Sequence, residues 1–387
     1  MVLLRSFCLL LAALLASATA QELRPEHSPA AFPPPPPARA RVVLSEKPAL
    51  LQRFQPDNAG IRTTFNRLLL AHTLQKSVPE AWRSLVSPKD TVGIKISTAG
   101  GPILGTHRAI LEAVVDGLVE AGVPPRQIIV WDKHEDQMVN AGYVPMRPPS
   151  GWQCLAIIPG PGFDGGKFYF HELAGQLIWG DHDFVGRPEA KDDVIQRLLQ
   201  SAEKDPKAPK PASGKEPPKK PESPPQVSNR SYFTRILTRD ITKLINIPVL
   251  SDHDRIGVWG AVSSLALGSV DNHRRFLVES EAAGLGIAEI LAHEALRSKV
   301  VLHIMDGLVG QYAGGPAFHA NYAGSPGLIM LSNDPVALDT LALERIEDGR
   351  RARGVIPTGD KAHHLRQAAA LGLGKNDRAK IDLVVVP

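Results

Sequence analysis

The chain sets ionisable side chains where short apolar runs stop. Leu244-Ile245-Asn246-Ile247-Pro248-Val249-Leu250 reads as one buried strand, and Ser251, Asp252, His253 and Asp254 follow at once. Gly257, Gly260 and Gly268 come next, then Asp271-Asn272-His273-Arg274-Arg275. Other apolar runs stop in the same way at Lys95, at Asp132, at Asp306, and at Asn333 with Asp334. In an open α/β sheet, ligands sit at the carboxyl ends of strands. Lys95, Asp132, His253 and Asp306 are therefore the candidate catalytic groups.

Their chemistry follows from residue type. Asp252 and His253 suit a divalent ion such as Zn²⁺, Mn²⁺ or Fe²⁺, or else an acid–base pair. Adjacent residues on a regular strand face opposite sides, so joint ligation by Asp252 and His253 needs a loop. Arg274 and Arg275 can clamp a carboxylate or phosphate bidentately. Gly100 and Gly101, in the loop Ser97 to Gly105 ahead of a helix, offer backbone amides to an anion. Asp334 completes the candidate ligand-binding set. Each group also has an ordinary alternative: a surface lysine for Lys95, a turn start for Asp306, a helix cap for Asp334. The tripeptide Asp252-His253-Asp254 and its match Asp181-His182-Asp183 read equally well as solvated loops. His107, His134 and His303 read as packing or surface histidines. Cys154, inside the apolar WQCLAII, reads as a small hydrophobe.

The elements that must position these groups alternate. Thr91 to Ile96 is a strand, Thr106 to about Ala121 a helix closed by Gly122, and Ile128 to Trp131 a strand. This βαβ unit implies parallel strands and a right-handed crossover. Further strands are expected at Trp152 to Ile158, at Lys167 to Trp179 (one or two), at Val300 to Met305, at Gly327 to Leu331 and at Ile381 to Val386. Helices are expected at Ile61 to Leu74, Asp192 to Ser201, Gly286 to Leu296 and after Pro335. The fold class is α/β, a mostly parallel sheet flanked by helices.

Composition bounds the rest. Arg5, the apolar Cys8 to Leu15 and Ala18-Thr19-Ala20 form a Sec-type signal peptide over 1–20, cut near Ala20, so the chain is expected to be exported to the periplasm or beyond. An uncleaved anchor is the alternative, but the run is short for a span, and no later run approaches one. Residues 21–60 read as a proline-rich tether, 61–90 as a helical extension and 91–387 as the α/β domain. A Pro/Lys-rich insertion at 202–228, expected to be disordered, interrupts that domain. Of the net charge of +4, Arg5 carries one and the insertion two, which leaves no basic face for nucleic acid. The 2 cysteines are Cys8 and Cys154, and Cys8 leaves with the signal. An iron–sulfur cluster held within the chain is thereby ruled out. No Gly-x-Ser-x-Gly elbow occurs, and the loop Gly100 to Gly105 is neither GxGxxG nor a Walker loop.

Taken in order, the blocks VGIKISTAGG, THRAILEAVVDGLVEAG, IIVWD, INIPVLSDHDRIGVWGAVSSL, IMDGLVG and LSNDPVALDTLALERI resemble the domain of unknown function 362 family. The resemblance spans about Thr91 to the C-terminus apart from the insertion. It implies a lysine ending the first strand (Lys95) and a histidine after the Asn-Ile-Pro strand (His253). It also implies a strand-terminal Asp306-Gly307 and a Ser-x-Asp-Pro-x-Ala-x-Asp run over Ser332 to Asp339. Many members carry Lys-Asn where this chain has Ser263-Ser264, which puts any chemistry of that pair in doubt here. The resemblance implies a fold and a site but names no reaction. The expectation is an exported protein binding or transforming a small anionic molecule, with or without a metal ion; a non-catalytic binding protein and a structural envelope protein are the rivals.

Overall fold

The sheet is built from strands that are apolar on both sides. In Ile128–His134 (β3), Ile128 and Val130 pack into one core while Ile129 and Trp131 pack into the other. Such strands require helices on both faces. The computed structural model describes residues 38–184 and 226–387. The expected signal peptide, the first part of the expected tether, the helix expected at Asp192 to Ser201 and residues 202–225 of the insertion lie outside the described residues.

The strands of the main path are Ala40–Glu46 (β1), Val92–Ile96 (β2), β3, Gln153–Ile158 (β4), Lys243–Ile247 (β7), Val300–Gln311 (β9), Leu328–Ser332 (β10) and Ile381–Val385 (β11). Phe163–Gln176 (β5) and Val227–Thr234 (β6) form a separate antiparallel ribbon, and Val249–His253 (β8) pairs with β9 from the side. Along the sheet the order is β11-β1-β10-β9-β7-β2-β3-β4. Pairs from β9 through β4 are parallel, as is β11 with β1, whereas β10 runs antiparallel to both its neighbours.

From β2 the chain moves outward through β3 and β4, then returns by way of the ribbon to β7 on the other side of β2. The order reverses between β2 and β7. That reversal is where an open α/β sheet leaves a crevice at the carboxyl ends of its strands.

Helices Asn58–Thr73 (α1) and Arg108–Glu120 (α2) cover one face. Ala261–Gly268 (α3), Glu281–Ala292 (α4) and Pro335–Ala352 (α5) cover the other. α3 is buried along its whole length, which its sequence AVSSLALG permits because no side chain is charged. Among the described residues, no helix is long and apolar enough to cross a membrane.

Three expectations need correction. Ala40–Glu46 is a sheet strand, not tether: Ala40, Val42, Val43 and Leu44 are buried between β10 and β11, a run masked in sequence by the prolines before it. Val227 and Ser228, assigned to the insertion, begin β6. Lys243 to His253 is two strands, because Pro248 has no N–H for a continuous ladder.

Candidate functional site

Lys95 lies between Ile94 and Ile96, which face the α1/α2 core, so strand alternation turns its side chain toward α3. It is only 2% exposed. Gly268, at the end of α3, makes room for it: a Cβ there would lie 2.8 Å from Lys95 Cε. The ammonium then reaches Asp132 at the end of β3, Nζ to Oδ1 3.4 Å. Asp132 also accepts from Thr98 N and Oγ1 at 2.9 and 2.6 Å and from Lys133 N at 2.8 Å. The carboxylate is thus nearly saturated and serves to hold Lys95 and the Ser97–Ala99 turn together.

These groups border a cavity of about 210 Å³, together with Lys133, His134, His253, Trp259, His273 and Arg274. His253 ends β8, its ring stacked on Trp259 at 5.5 Å between centroids. Its Nδ1 is 3.2 Å from Arg255 N and 3.2 Å from Asp254 Oδ1, which leaves Nε2 for a ligand. Burial lowers its pKa, as it does for His134. The structure therefore brings Lys95, Asp132, His253 and Arg274 together at the reversal of strand order.

Lys133 and His273 were not singled out in the sequence. Lys133 Nζ donates to Leu267 O and Val270 O, each at 2.6 Å, and lies 3.0 Å from His273 Nδ1. It closes the C-terminal end of α3, where a cation complements the helix dipole. Burial pulls its pKa down to about 7, against the carboxylates of Asp271, Asp181 and Asp132. His273 is driven well below 6.5 by burial and then by Lys133. A neutral imidazole whose Nδ1 faces an ammonium carries its proton on Nε2. His273 is thus fixed as a donor at the cavity wall. The signal for Lys133 was its place directly after Asp132 at the end of β3.

The second Asp-His-Asp tripeptide braces this wall. Asp181 accepts from Asn272 N and Ile178 N, Asp271 accepts from His182 N and Tyr232 N, and the His182 ring lies 4.2 Å from that of Tyr232.

The other nominated residues have different work. Asp252 points away from His253: its carboxylate takes Gly315 N at 2.9 Å and Arg350 Nη2 at 3.3 Å, as alternation on β8 requires. The two do not share a metal position, and among the described residues no group of three or more His, Cys, Asp or Glu side chains is placed to hold an ion. Arg275 is buried against the ribbon, donating to His171 O, Leu173 O and Ser231 Oγ. Asp306 binds His107, not the cleft. Asp334 caps α5 through Ala337 N and also accepts from Lys375 N. Gly100 and Gly101 open a one-turn helix behind Ala99, and neither glycine lines the cavity. Ser263 and Ser264 are buried within α3, Ser263 Oγ donating to Val258 O.

Residues 218–344 match the family model of a domain of unknown function, DUF362. The match bears out the resemblance to that family over these residues. That stretch supplies His253, Trp259, Gly268, His273 and Arg274 to the cavity, whereas Lys95, Asp132 and Lys133 come from the chain ahead of it. A solved structure of a Thermotoga maritima protein, from the Northeast Structural Genomics Consortium, is similar at 8% identity with a TM-score of 0.38. The match covers 78% of this chain and 60% of that one, so the chain spans about three fifths of that protein's length. No curated protein matches the chain.

One substitution isolates Lys95 from the fold. Gly268→Ala puts a methyl against the end of a flexible side chain, so Lys95 must leave Asp132 while the helix gains propensity. Stability should stay within about 1 kcal/mol of the parent in a denaturant titration. Anion affinity in the cleft should fall about tenfold, roughly 1.4 kcal/mol.

Proposed function

We propose that the stretch matching DUF362 and the strands before it form a binding cleft for a small oxyanion, a carboxylate or phosphate, on which His253 acts as acid or base. The observation that carries this reading is the convergence of Lys95, Lys133 and Arg274 with His253 and His273 on one cavity at the strand reversal. Asp132 is already committed to Thr98, Lys133 N and Lys95, and Lys133 Nζ to Leu267 O, Val270 O and His273, so Arg274 and the His273 Nε2–H remain as donors for an anion. A partly dehydrated cavity strengthens each of these contacts over its value in water. Arg274 supplies a planar fork and His273 Nε2–H a neutral donor, a combination that suits an oxygen acquiring charge. The reading needs no metal ion. Export through residues 1–20 belongs to the same proposal, supported by Arg5, the apolar Cys8 to Leu15 and the small residues before Gln21. The ligand is then a molecule met outside the cytoplasm.

The test is a thermal-shift panel of mono- and dicarboxylates and phosphate esters against the parent and Lys95→Met. Compounds that stabilise the parent and not the variant place the anion in the cleft. A panel without hits, or hits equal in both, overturns the reading. His253→Ala then separates chemistry from binding: loss of turnover with the ligand still bound assigns an enzyme, and a parent that returns every bound compound unchanged assigns a binding protein.

A further inference from the structure

A histidine–carboxylate dyad stands apart from the cleft. Asp306 is 1% exposed and takes three N–H groups: His107 N at 2.6 Å, His107 Nδ1 at 3.0 Å and Leu308 N at 3.1 Å. A carboxylate on Nδ1 fixes the ring and directs its proton chemistry to Nε2. His107 borders a second cavity of about 360 Å³. The chain from Ser97 to His107 divides the two cavities: Ser97, Thr98 and Ala99 line the cleft, and Pro102, Ile103, Thr106 and His107 line the second.

The walls of this cavity are chemically mixed. Phe54 and Ile103 provide apolar surface, and Arg108 and Glu112 provide a charged side, with Arg108 Nε on Glu112 at 2.8 Å. Phe54 is 59% exposed although it is large and apolar. It sits with Arg53 at the tip of a tight hairpin, both at positive φ (51° and 63°), a conformation that side chains other than glycine adopt at a cost. A hairpin that holds a phenyl ring out over a cavity has the form of a ligand clamp.

We propose that the cavity beneath Phe54 is a second ligand site, which takes a monocarboxylate with an aromatic or short aliphatic body through His107 and Arg108. The imidazolium Nε2–H donates to the carboxylate, and the apolar body lies against Phe54 and Ile103. Asp306 and Glu112 already balance His107 and Arg108, so a monoanion leaves one net negative charge at the site and a dianion would leave two, which favours the monoanion. Asp306 also raises the His107 pKa against the effect of burial, which keeps the ring protonated above the ordinary value of 6.5. The groups facing the ring region are Asp306, Arg108, Glu112 and Tyr143, whose hydroxyl donates to Thr106 O at 2.6 Å.

The experiment uses the full chain with ¹³C-labelled histidine, His107 being assigned through His107→Gln, and titrates benzoate, benzamide and inorganic phosphate by NMR. Benzoate should shift the His107 resonance saturably and raise its pKa further; benzamide and phosphate should leave it in place. Asp306→Asn should weaken benzoate at least tenfold and lower the His107 pKa below that of the parent, because burial then acts unopposed. If that variant fails to fold, the parent titration decides alone. A His107 resonance that ignores benzoate overturns the site, whether or not His253 responds, and leaves the dyad as a structural tie between His107 and β9.

Discussion

Lys133→Met should cost the protein both its cleft and a large part of its stability. The substitution keeps the length of the stem and removes the ammonium. Leu267 O and Val270 O then lose a buried donor, at about 1–3 kcal/mol for each unsatisfied group. Asp271 and Asp181 also lose a counter-charge. Stability at pH 7 should drop by about 2–4 kcal/mol, most of it from those two carbonyls. The pH dependence distinguishes this from ordinary core damage. The parent's Lys133 releases its proton near pH 7 in the fold and near 10.5 when unfolded. Between those values the unfolded chain binds the extra proton, so the group's contribution rises with pH, on the order of 5 kcal/mol in all. The variant has no such slope, and the gap between parent and variant should widen from pH 7 to pH 10 in urea titrations. A constant gap would show that Lys133 is an ordinary charged lysine. Oxyanion affinity should fall at the same time, because His273 loses the partner that sets its tautomer.

The same lysine shows how far the sequence could be read. Strand ends were legible because apolar runs stop abruptly at polar residues, and the α/β sheet followed from their alternation with helical patterns. Lys95, Asp132 and His253 were found by that rule, Arg274 as one of a pair of arginines suited to an anion, and all four border one cavity. The rule also gathered Asp252 and Asp334, at or just past strand ends, and Asp306, which lies inside β9 because that strand runs on to Gln311; all three turn their carboxylates away from the cleft, to Gly315 N, Ala337 N and His107 N. A strand end supplies unpaired amides as well as a crevice, and a carboxylate there can satisfy either. Sequence position does not separate the two uses; the face of the strand does, and for β8 that face depends on where Pro248 breaks the run. Lys133 and His273 were missed for a related reason. Each adjoins a residue already chosen, and both take part only because α3 ends between them, a contact made across 140 positions. The strand at Ala40–Glu46 was lost to composition, since the prolines before it masked four buried apolar residues.

Asp339→Ala should act on the opposite end of the same helix and have the larger effect on folding. Asp339 is fully buried and accepts from Ala261 N at 2.6 Å and Val262 N at 2.8 Å, the first amides of α3. Gly260 allows this approach, for a Cβ there would stand 2.1 Å from the carboxylate oxygen. α3 therefore carries a carboxylate at its N-terminus and the Lys133 ammonium at its C-terminus, both opposing the helix dipole in the stabilising sense. With alanine at 339, two buried amides lose their acceptor and a void opens, for a loss of about 3–5 kcal/mol. Burial raises the Asp339 pKa to about 7, from 3.8. The folded chain thus holds a proton that the unfolded chain gives up, and the group's contribution is complete below pH 3.8 and declines as pH rises to 7. The gap between parent and variant should be widest near pH 4 and narrow toward neutrality in denaturant titrations. Asp334→Ala, which removes the cap of α5 outside the cleft, should cost only about 1–2 kcal/mol and leave oxyanion binding intact. If Asp339→Ala weakened the cleft no more than Asp334→Ala does, α3 would be packing alone. The run Ser332 to Asp339 would then have no part in holding Lys133 and Gly268 at the site.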